Sequence, residues 1–312
     1  MVDGSPTSDA PRRRTPGREL PSLRIWFMAA RPRTLPAAVA PVLVGTALAS
    51  TRGSIDWLAF IAAMLGALFI QVGTNLSNDY SDARRGADTE DRLGPVRVTA
   101  GGLVPPRQVL VATYVSFGLA VACGIYLVAV AGPVLLLIGA ASILAGILYT
   151  GGPRPYGYEG LGEVFVFLFF GVVAVSGSYY VQQRNLPWEA LVLAVPVGLL
   201  AAAILVVNNV RDLDTDRRAG KRTLAVRLGR ARTRRLYAAM LALAYLTAPL
   251  PWILGSLSAW LLLPLLTIPL AVRLARTVAE HTDGPTLNEA LAGTGRLEFV
   301  FCVLLAAGLL LS

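Results

Sequence analysis

Charge is what this sequence has least of. Only 15% of its 312 residues are Asp, Glu, Lys or Arg, against 55% hydrophobic, and the mean hydropathy is +0.60. An ordinary soluble domain carries about 25% charged residues, so this chain cannot cover its own surface in water. Cysteine is nearly missing too. Cys123 and Cys302 both lie inside apolar runs, which argues against a disulfide framework or a cysteine-held metal cluster. A lone histidine, His281, stands in a polar connector near Asp283, and one imidazole builds neither a zinc site nor a haem-ligand pair. The chemistry must rest on carboxylates, Asn, Tyr and Arg.

What the chain has in abundance is apolar length. No charged residue occurs over 57–78, 108–153, 164–183, 190–210 or 236–272. A bilayer core about 30 Å thick takes a helix of about 20 residues. Three of these runs fit one crossing each and the two long ones fit two apiece, split at Gly132-Pro133 and near Gly255-Ser256. Adding an entry helix near Trp26–Ser50 and a last span over 293–311 predicts an all-α membrane protein of nine transmembrane helices. Residues 1–24, rich in Pro, Ser and Arg, read as a disordered basic arm before a single transmembrane domain over 25–312. The arm with Ala47-Leu48-Ala49 imitates a signal peptide, but its apolar part starts too deep in the chain, so we expect no cleavage there.

Arg and Lys fall on alternate connectors. The N-terminal arm with its juxtamembrane part holds seven, connector 78–107 five and connector 210–235 ten, whereas the intervening connectors hold none or one. The positive-inside rule places those basic connectors and the N-terminus in the cytoplasm. This bias accounts for the net charge of +9 without a nucleic-acid partner.

Eight of the nineteen acidic residues sit in two short segments, each at a span's basic end and each followed by arginines. The first holds Asn78, Asp79, Asp82 and Asp88; the second holds Asn208, Asp212 and Asp216. Asn78 and Asp82, Asn208 and Asp212, and Asp212 and Asp216 are each four apart, so each set lies on one helix face. Such columns of oxygen donors suit Mg²⁺, which binds through one or two carboxylates together with phosphate oxygens. The segments also match at an offset of 130 residues, as an internal duplication would. Facing each other, they would clamp a diphosphate through bridging cations. Arginines nearby offer forked hydrogen bonds to the remaining phosphate oxygens.

These blocks resemble the UbiA superfamily of intramembrane aromatic prenyltransferases, which carry Asn-xxx-Asp-xxx-Asp after the second helix and Asp-xxx-Asp after the sixth. Asp212-xxx-Asp216 matches the second motif. Asn78-xxx-Asp82 matches the first, with Gly86 where a third carboxylate is expected and Asp88 two residues on. Ala30-Arg31-Pro32-Arg33-Thr34, Arg92-x-Gly94-Pro95-x-Arg97, Tyr149-Thr-Gly-Gly-Pro-Arg154-Pro-Tyr156-Gly-Tyr158 and Gly220-Lys221-x-Thr223-Leu224 are similar to the branch that prenylates 1,4-dihydroxy-2-naphthoate for menaquinone synthesis.

The resemblance implies nine helices around a central cavity, in the cell membrane, with the active site facing the cytoplasm. It implies Mg²⁺-dependent transfer from a polyprenyl diphosphate to the naphthoate, with loss of diphosphate and CO₂, giving demethylmenaquinone. Asp82, Asp88, Asp212 and Asp216 would hold metal with Asn78, Asp79 and Asn208, and Arg92, Arg97 and Lys221 would contact diphosphate. Tyr149 would face the allylic cation, while Arg154, Tyr156 and Tyr158 would serve the aromatic substrate, although interfacial tyrosines also form plain aromatic belts. Another aromatic acceptor such as 4-hydroxybenzoate is the nearest competing reading. A secondary transporter would instead place its ion site near the bilayer midplane, where these spans are expected to carry no charge.

Overall fold

The computed structural model describes residues 22–87 and 93–312. Most of the basic arm expected over 1–24 lies outside the described residues, as do Asp88 and Arg92. The helices are α1 (Leu23–Ser50), α2 (Trp57–Arg84), α3 (Pro106–Ala131), α4 (Val134–Leu148), α5 (Gly162–Gln183), α6 (Trp188–Arg218), α7 (Arg230–Ile253), α8 (Ala259–Glu280) and α9 (Gly284–Leu310). Eight are long and apolar enough to cross a membrane, and α4, with 15 residues, is the short ninth. At about 1.5 Å per residue α4 falls short of a full crossing.

Local chemistry sets the helix ends. Asp56 caps α2, its Oδ1 accepting the backbone N–H groups of Leu58 and Ala59 at 2.9 and 3.0 Å. Asp283 caps α9 in the same way through Thr286. The first helix is broken at Arg31, which adopts left-handed geometry (φ 53°) before Pro32. The break is pinned from α2, where the Asn75 amide donates to the Ala30 carbonyl and to the Thr34 hydroxyl at 2.9 and 3.0 Å.

The helices close around α6, which is apolar on nearly every face and packs on α5, α7 and α9. Its crossing with α5 is glycine on glycine: a Cβ added at Gly171 would stand 2.6 Å from the Gly198 Cα. Small residues let membrane helices approach this closely, where dispersion rather than water drives association.

Two departures from the sequence reading concern function. The helices outrun the expected spans, α2 to Arg84 and α6 to Arg218 against ends expected near 77 and 209, so Asn78 and Asp82, like Asn208, Asp212 and Asp216, lie on helices as their spacing implied. The expectation of uncharged span interiors fails in α9, where Glu298 is fully buried. That span lies outside the uncharged runs, and its charged positions, Arg296 and Glu298, were masked by an otherwise apolar stretch.

Candidate active site

Connectors after α2, α4, α6 and α8 meet at one end of the bundle. Arg97 of the first pairs with Asp82 at 3.0 Å, and the Arg222 N–H donates to the Tyr158 carbonyl at 2.8 Å. At the opposite end Arg52 pairs with Glu189 at 2.7 Å, and the Gln182 side chain accepts the Asp56 N–H. The alternation of basic connectors therefore corresponds to two real faces, and both acid columns lie on the same one.

Asn78, Asp79, Asp82, Asp212 and Asp216 are all buried. Asp82, Asp212 and Asp216 each have a basic partner. Asp82 takes Arg97 on Oδ2 and the Tyr158 hydroxyl on Oδ1, the latter at 2.5 Å. Asp212 receives the Arg211 fork, Nε to Oδ1 at 2.8 Å and Nη2 to Oδ2 at 2.5 Å. Lys221, the only lysine in the chain, lies 3.8 Å from Asp216 and 4.8 Å from the centroid of the Tyr158 ring. Tyr158 thus bridges the columns, hydroxyl on one and ring face toward the cation of the other.

The geometry explains why the first motif lacks its third acid. Gly86 follows the end of α2 with φ 64°, a left-handed position that terminates a helix at least cost when the residue is glycine. At the matching offset α6 is still helical and carries Asp216.

Beneath the columns is a cavity of about 940 Å³ reaching from Arg97 and Lys221 down to Val128 and Leu135. Its polar mouth gives way to an aromatic wall. Tyr149 meets Tyr156 edge-on at 5.4 Å, and Tyr156 stacks on Phe165 at 4.0 Å. Burial, followed by the negative fields of Glu163, Tyr156, Asp82 and Asp216, pushes the Tyr149 hydroxyl above its ordinary value. Lining residues Ile125 and Leu136 are 66% and 61% exposed, so the cavity opens sideways between α3 and α4.

Of the residues singled out in the sequence, Asn78, Asp79, Asp82, Arg97, Tyr149, Tyr156, Tyr158, Asn208, Asp212, Asp216 and Lys221 all line this cavity. Asp88 and Arg92 lie outside the described residues. Arg154, between two prolines, is exposed and absent from the cavity wall. Asp79 also has structural work, accepting the N–H groups of Val98 and Thr99 at 3.1 and 2.9 Å and so tying the connector to α2.

Three residues of this site were not singled out. Arg211 precedes a motif aspartate, a position that looks like a solvated counter-charge. Glu163 accepts the Asn209 amide at 2.8 Å from the start of a span. Asn288, which reaches the site from α9, leaves no signal in the sequence.

Among the described residues no three carboxylate, histidine or cysteine groups converge closely enough to hold a metal alone. The donors are hard oxygens in two separated columns. They fit Mg²⁺ shared with a phosphate ligand better than a closed protein cage.

A polar mouth on an apolar, sideways-opening chamber is the layout of an intramembrane transferase, which must hold a charged head and a greasy tail together. The chain belongs to the UbiA prenyltransferase family, which it matches over residues 38–310. It is 43% identical over 287 residues to the 1,4-dihydroxy-2-naphthoate octaprenyltransferase of Mycobacterium leprae, covering 92% of this chain and 96% of that one. The Escherichia coli protein of the same name is 39% identical over 293 residues, covering 92% and 95%. A UbiA homolog from Archaeoglobus fulgidus, solved bound to DMAPP and Mg²⁺, shares the fold with TM-score 0.65 and 15% identity over 91% of this chain and 98% of that one.

Proposed function

We propose that the protein transfers a polyprenyl group from polyprenyl diphosphate to 1,4-dihydroxy-2-naphthoate, using Mg²⁺, and releases diphosphate and CO₂. The reaction would take place at the cytoplasmic face of the cell membrane, with the basic arm 1–24 on the same side. The reading is carried by the meeting of the two acidic helix ends, through Tyr158 and Lys221, above an apolar chamber. The relatives that match nearly end to end support the choice of acceptor.

Bound Mg²⁺ supplies positive charge for the leaving diphosphate, which separates from an allylic cation in the transition state. Asp82, Asp212 and Asp216 would hold it with Asn78 and Asn208, and Asp88 is proposed alongside them. Arg97, Lys221 and Arg92 would take the remaining phosphate oxygens. Tyr149, kept protonated by its surroundings, presents a neutral π face to the cation, an attraction worth up to about 2 kcal/mol once desolvated. Tyr156 braces Tyr149 by edge contact and Tyr158 orients Asp82, while Arg154 stays a proposed partner of the acceptor carboxylate.

The allylic C–O bond breaks with its electron pair leaving on diphosphate. The ring carbon bearing the carboxylate then bonds the prenyl carbon. Loss of CO₂ returns the C–C electron pair to the ring, so the immediate product is a quinol and no oxidant is consumed.

The test is purified protein with Mg²⁺, a polyprenyl diphosphate and each candidate aromatic acid, followed by mass analysis. A prenylated naphthalenediol lacking the carboxylate is expected. Product only from 4-hydroxybenzoate, or product that retains the carboxylate, would overturn the choice of acceptor or of chemistry.

A further inference from the structure

The Arg211 side chain is 2% exposed yet borders the cavity, and each of its three nitrogens donates a hydrogen bond. Nε and Nη2 grip both oxygens of Asp212, Nη2 also donates to Asn208 Oδ1 at 2.8 Å, and Nη1 donates to Asn288 Oδ1 at 2.6 Å. Neighbours in a helix sequence point about 100° apart, so this grip requires the guanidinium to fold back along α6. Asn288 holds it there from α9, and its amide in turn donates to the Leu93 carbonyl at 2.9 Å.

This arrangement conflicts with metal binding. The fork occupies the oxygens of two members of the second column, Asn208 and Asp212, which a cation would need. A guanidinium and a divalent ion cannot share the same carboxylate face, so a cation that takes this face opens the pair. Once released, a planar fork beside a metal-held diphosphate matches its oxygens bidentately. Nη1 can stay on Asn288 while the other donors turn.

We propose that Arg211 is a diphosphate-binding residue held in reserve on Asp212, and that Asn288 is the pivot that positions it. Metal–diphosphate loading moves the fork from carboxylate to phosphate. The inference rests on the proposed function only for the class of ligand, a metal-bound diphosphate; the aromatic acceptor plays no part in it.

The consequence is a pair of opposite effects. Replacing Arg211 removes a competitor for the metal and a ligand for the phosphate at once. Full-length protein in detergent is titrated with Mn²⁺, followed by electron paramagnetic resonance of the free ion, first alone and then with inorganic pyrophosphate. Arg211→Gln should bind Mn²⁺ more tightly than wild type without pyrophosphate, by about tenfold, the scale of a charge-assisted contact. The same variant should need about tenfold more pyrophosphate to saturate its Mn²⁺ form. Asn288→Ala should leave Mn²⁺ affinity within about twofold of wild type and weaken pyrophosphate severalfold, because the fork has lost its pivot.

A merely structural Arg211 predicts weaker binding of both ligands, and that result would overturn the proposal. So would unchanged pyrophosphate affinity in either variant. If Arg211→Gln does not fold, Asn288→Ala decides: parallel losses of Mn²⁺ and pyrophosphate binding count against the pivot. Failure of naphthoate prenylation with these opposite effects intact would sink the acceptor assignment and leave this inference standing.

Discussion

The Tyr158 hydroxyl donates to Oδ1 of Asp82 across 2.5 Å, while the Tyr158 ring lies under the Lys221 ammonium, whose partner is Asp216. One side chain thereby joins α2 to α6 at the mouth of the cavity. The bond aims Asp82 and shares its charge, and a hydrogen bond to a charged group is worth about 1.5–3 kcal/mol. Tyr158→Phe keeps the ring and loses the bond. We expect kcat/KM for the prenyl diphosphate to fall by roughly ten- to a hundredfold, with the thermal midpoint in detergent lowered by only a few degrees. Full activity would show that Asp82 needs no such aim.

The acid columns give a sharper contrast. Asp82→Ala and Asp212→Ala should each abolish Mg²⁺-dependent prenylation in membranes while leaving insertion intact. Asp79→Asn should behave differently, because its oxygens hold the Val98 and Thr99 amides. It should lower thermal stability by about 1–2 kcal/mol for the mismatched acceptor and leave the Mg²⁺ concentration for half-maximal rate close to wild type. Near-wild-type turnover by Asp82→Ala would refute the clamp.

Much of this was legible in the sequence, for physical reasons that also mark where legibility stopped. Apolar runs of helical length specify spans, and the alternation of Arg and Lys specifies which ends share a face. The i, i+4 spacing of Asn78 with Asp82 and of Asp212 with Asp216 survives because both helices continue past the apolar stretch. Hydropathy alone ends them too early, since buried polar residues look like solvent-facing ones. Arg211 and Asn288 stayed hidden because their role depends on α6 and α9 meeting, and nothing in either segment's pattern encodes that contact. Arg154 shows the converse: a motif position can carry a charge that the backbone directs away from the cavity.

Tyr149 separates a π role from a proton-transfer role. Burial and the surrounding negative charges raise its hydroxyl above the ordinary tyrosine range, so it is a neutral phenol at every pH where the enzyme would be assayed. Tyr149→Phe should retain most of kcat, and the pH–rate profile between about 6 and 9 should be superimposable on wild type. Tyr149→Leu should lose roughly thirtyfold, matching a cation–π contribution of about 2 kcal/mol. A large loss of kcat in the Phe variant would give the hydroxyl a chemical part.

Glu298 tests the cost of polarity inside α9. It is fully buried, and among the described residues neither carboxyl oxygen has a hydrogen-bond partner. Such a group opposes folding unless function retains it. Glu298→Leu should raise the thermal midpoint, by the equivalent of about 1–3 kcal/mol, with prenyl transfer unchanged. A stability gain accompanied by loss of transfer would place Glu298 in the enzyme's working cycle instead.

The opening between α3 and α4 makes the last prediction. Ile125 and Leu136 line the cavity and are largely exposed, and a Cβ added at Gly124 or Gly139 would meet nothing within 4 Å. A long isoprenoid that outgrows the chamber would leave it through this gap. The short α4 keeps the gap from being sealed by its own length. An indole at Gly139 fills the opening without touching the carboxylate columns. Gly139→Trp should therefore cut turnover with long polyprenyl diphosphates by at least about tenfold, the discrimination expected when a pocket rejects extra hydrocarbon. Turnover of geranyl diphosphate, which fits inside, should stay within about threefold of wild type. Equal losses for short and long donors would mean that the tail leaves by another route, and the α3–α4 gap would then be a packing fault covered by lipid.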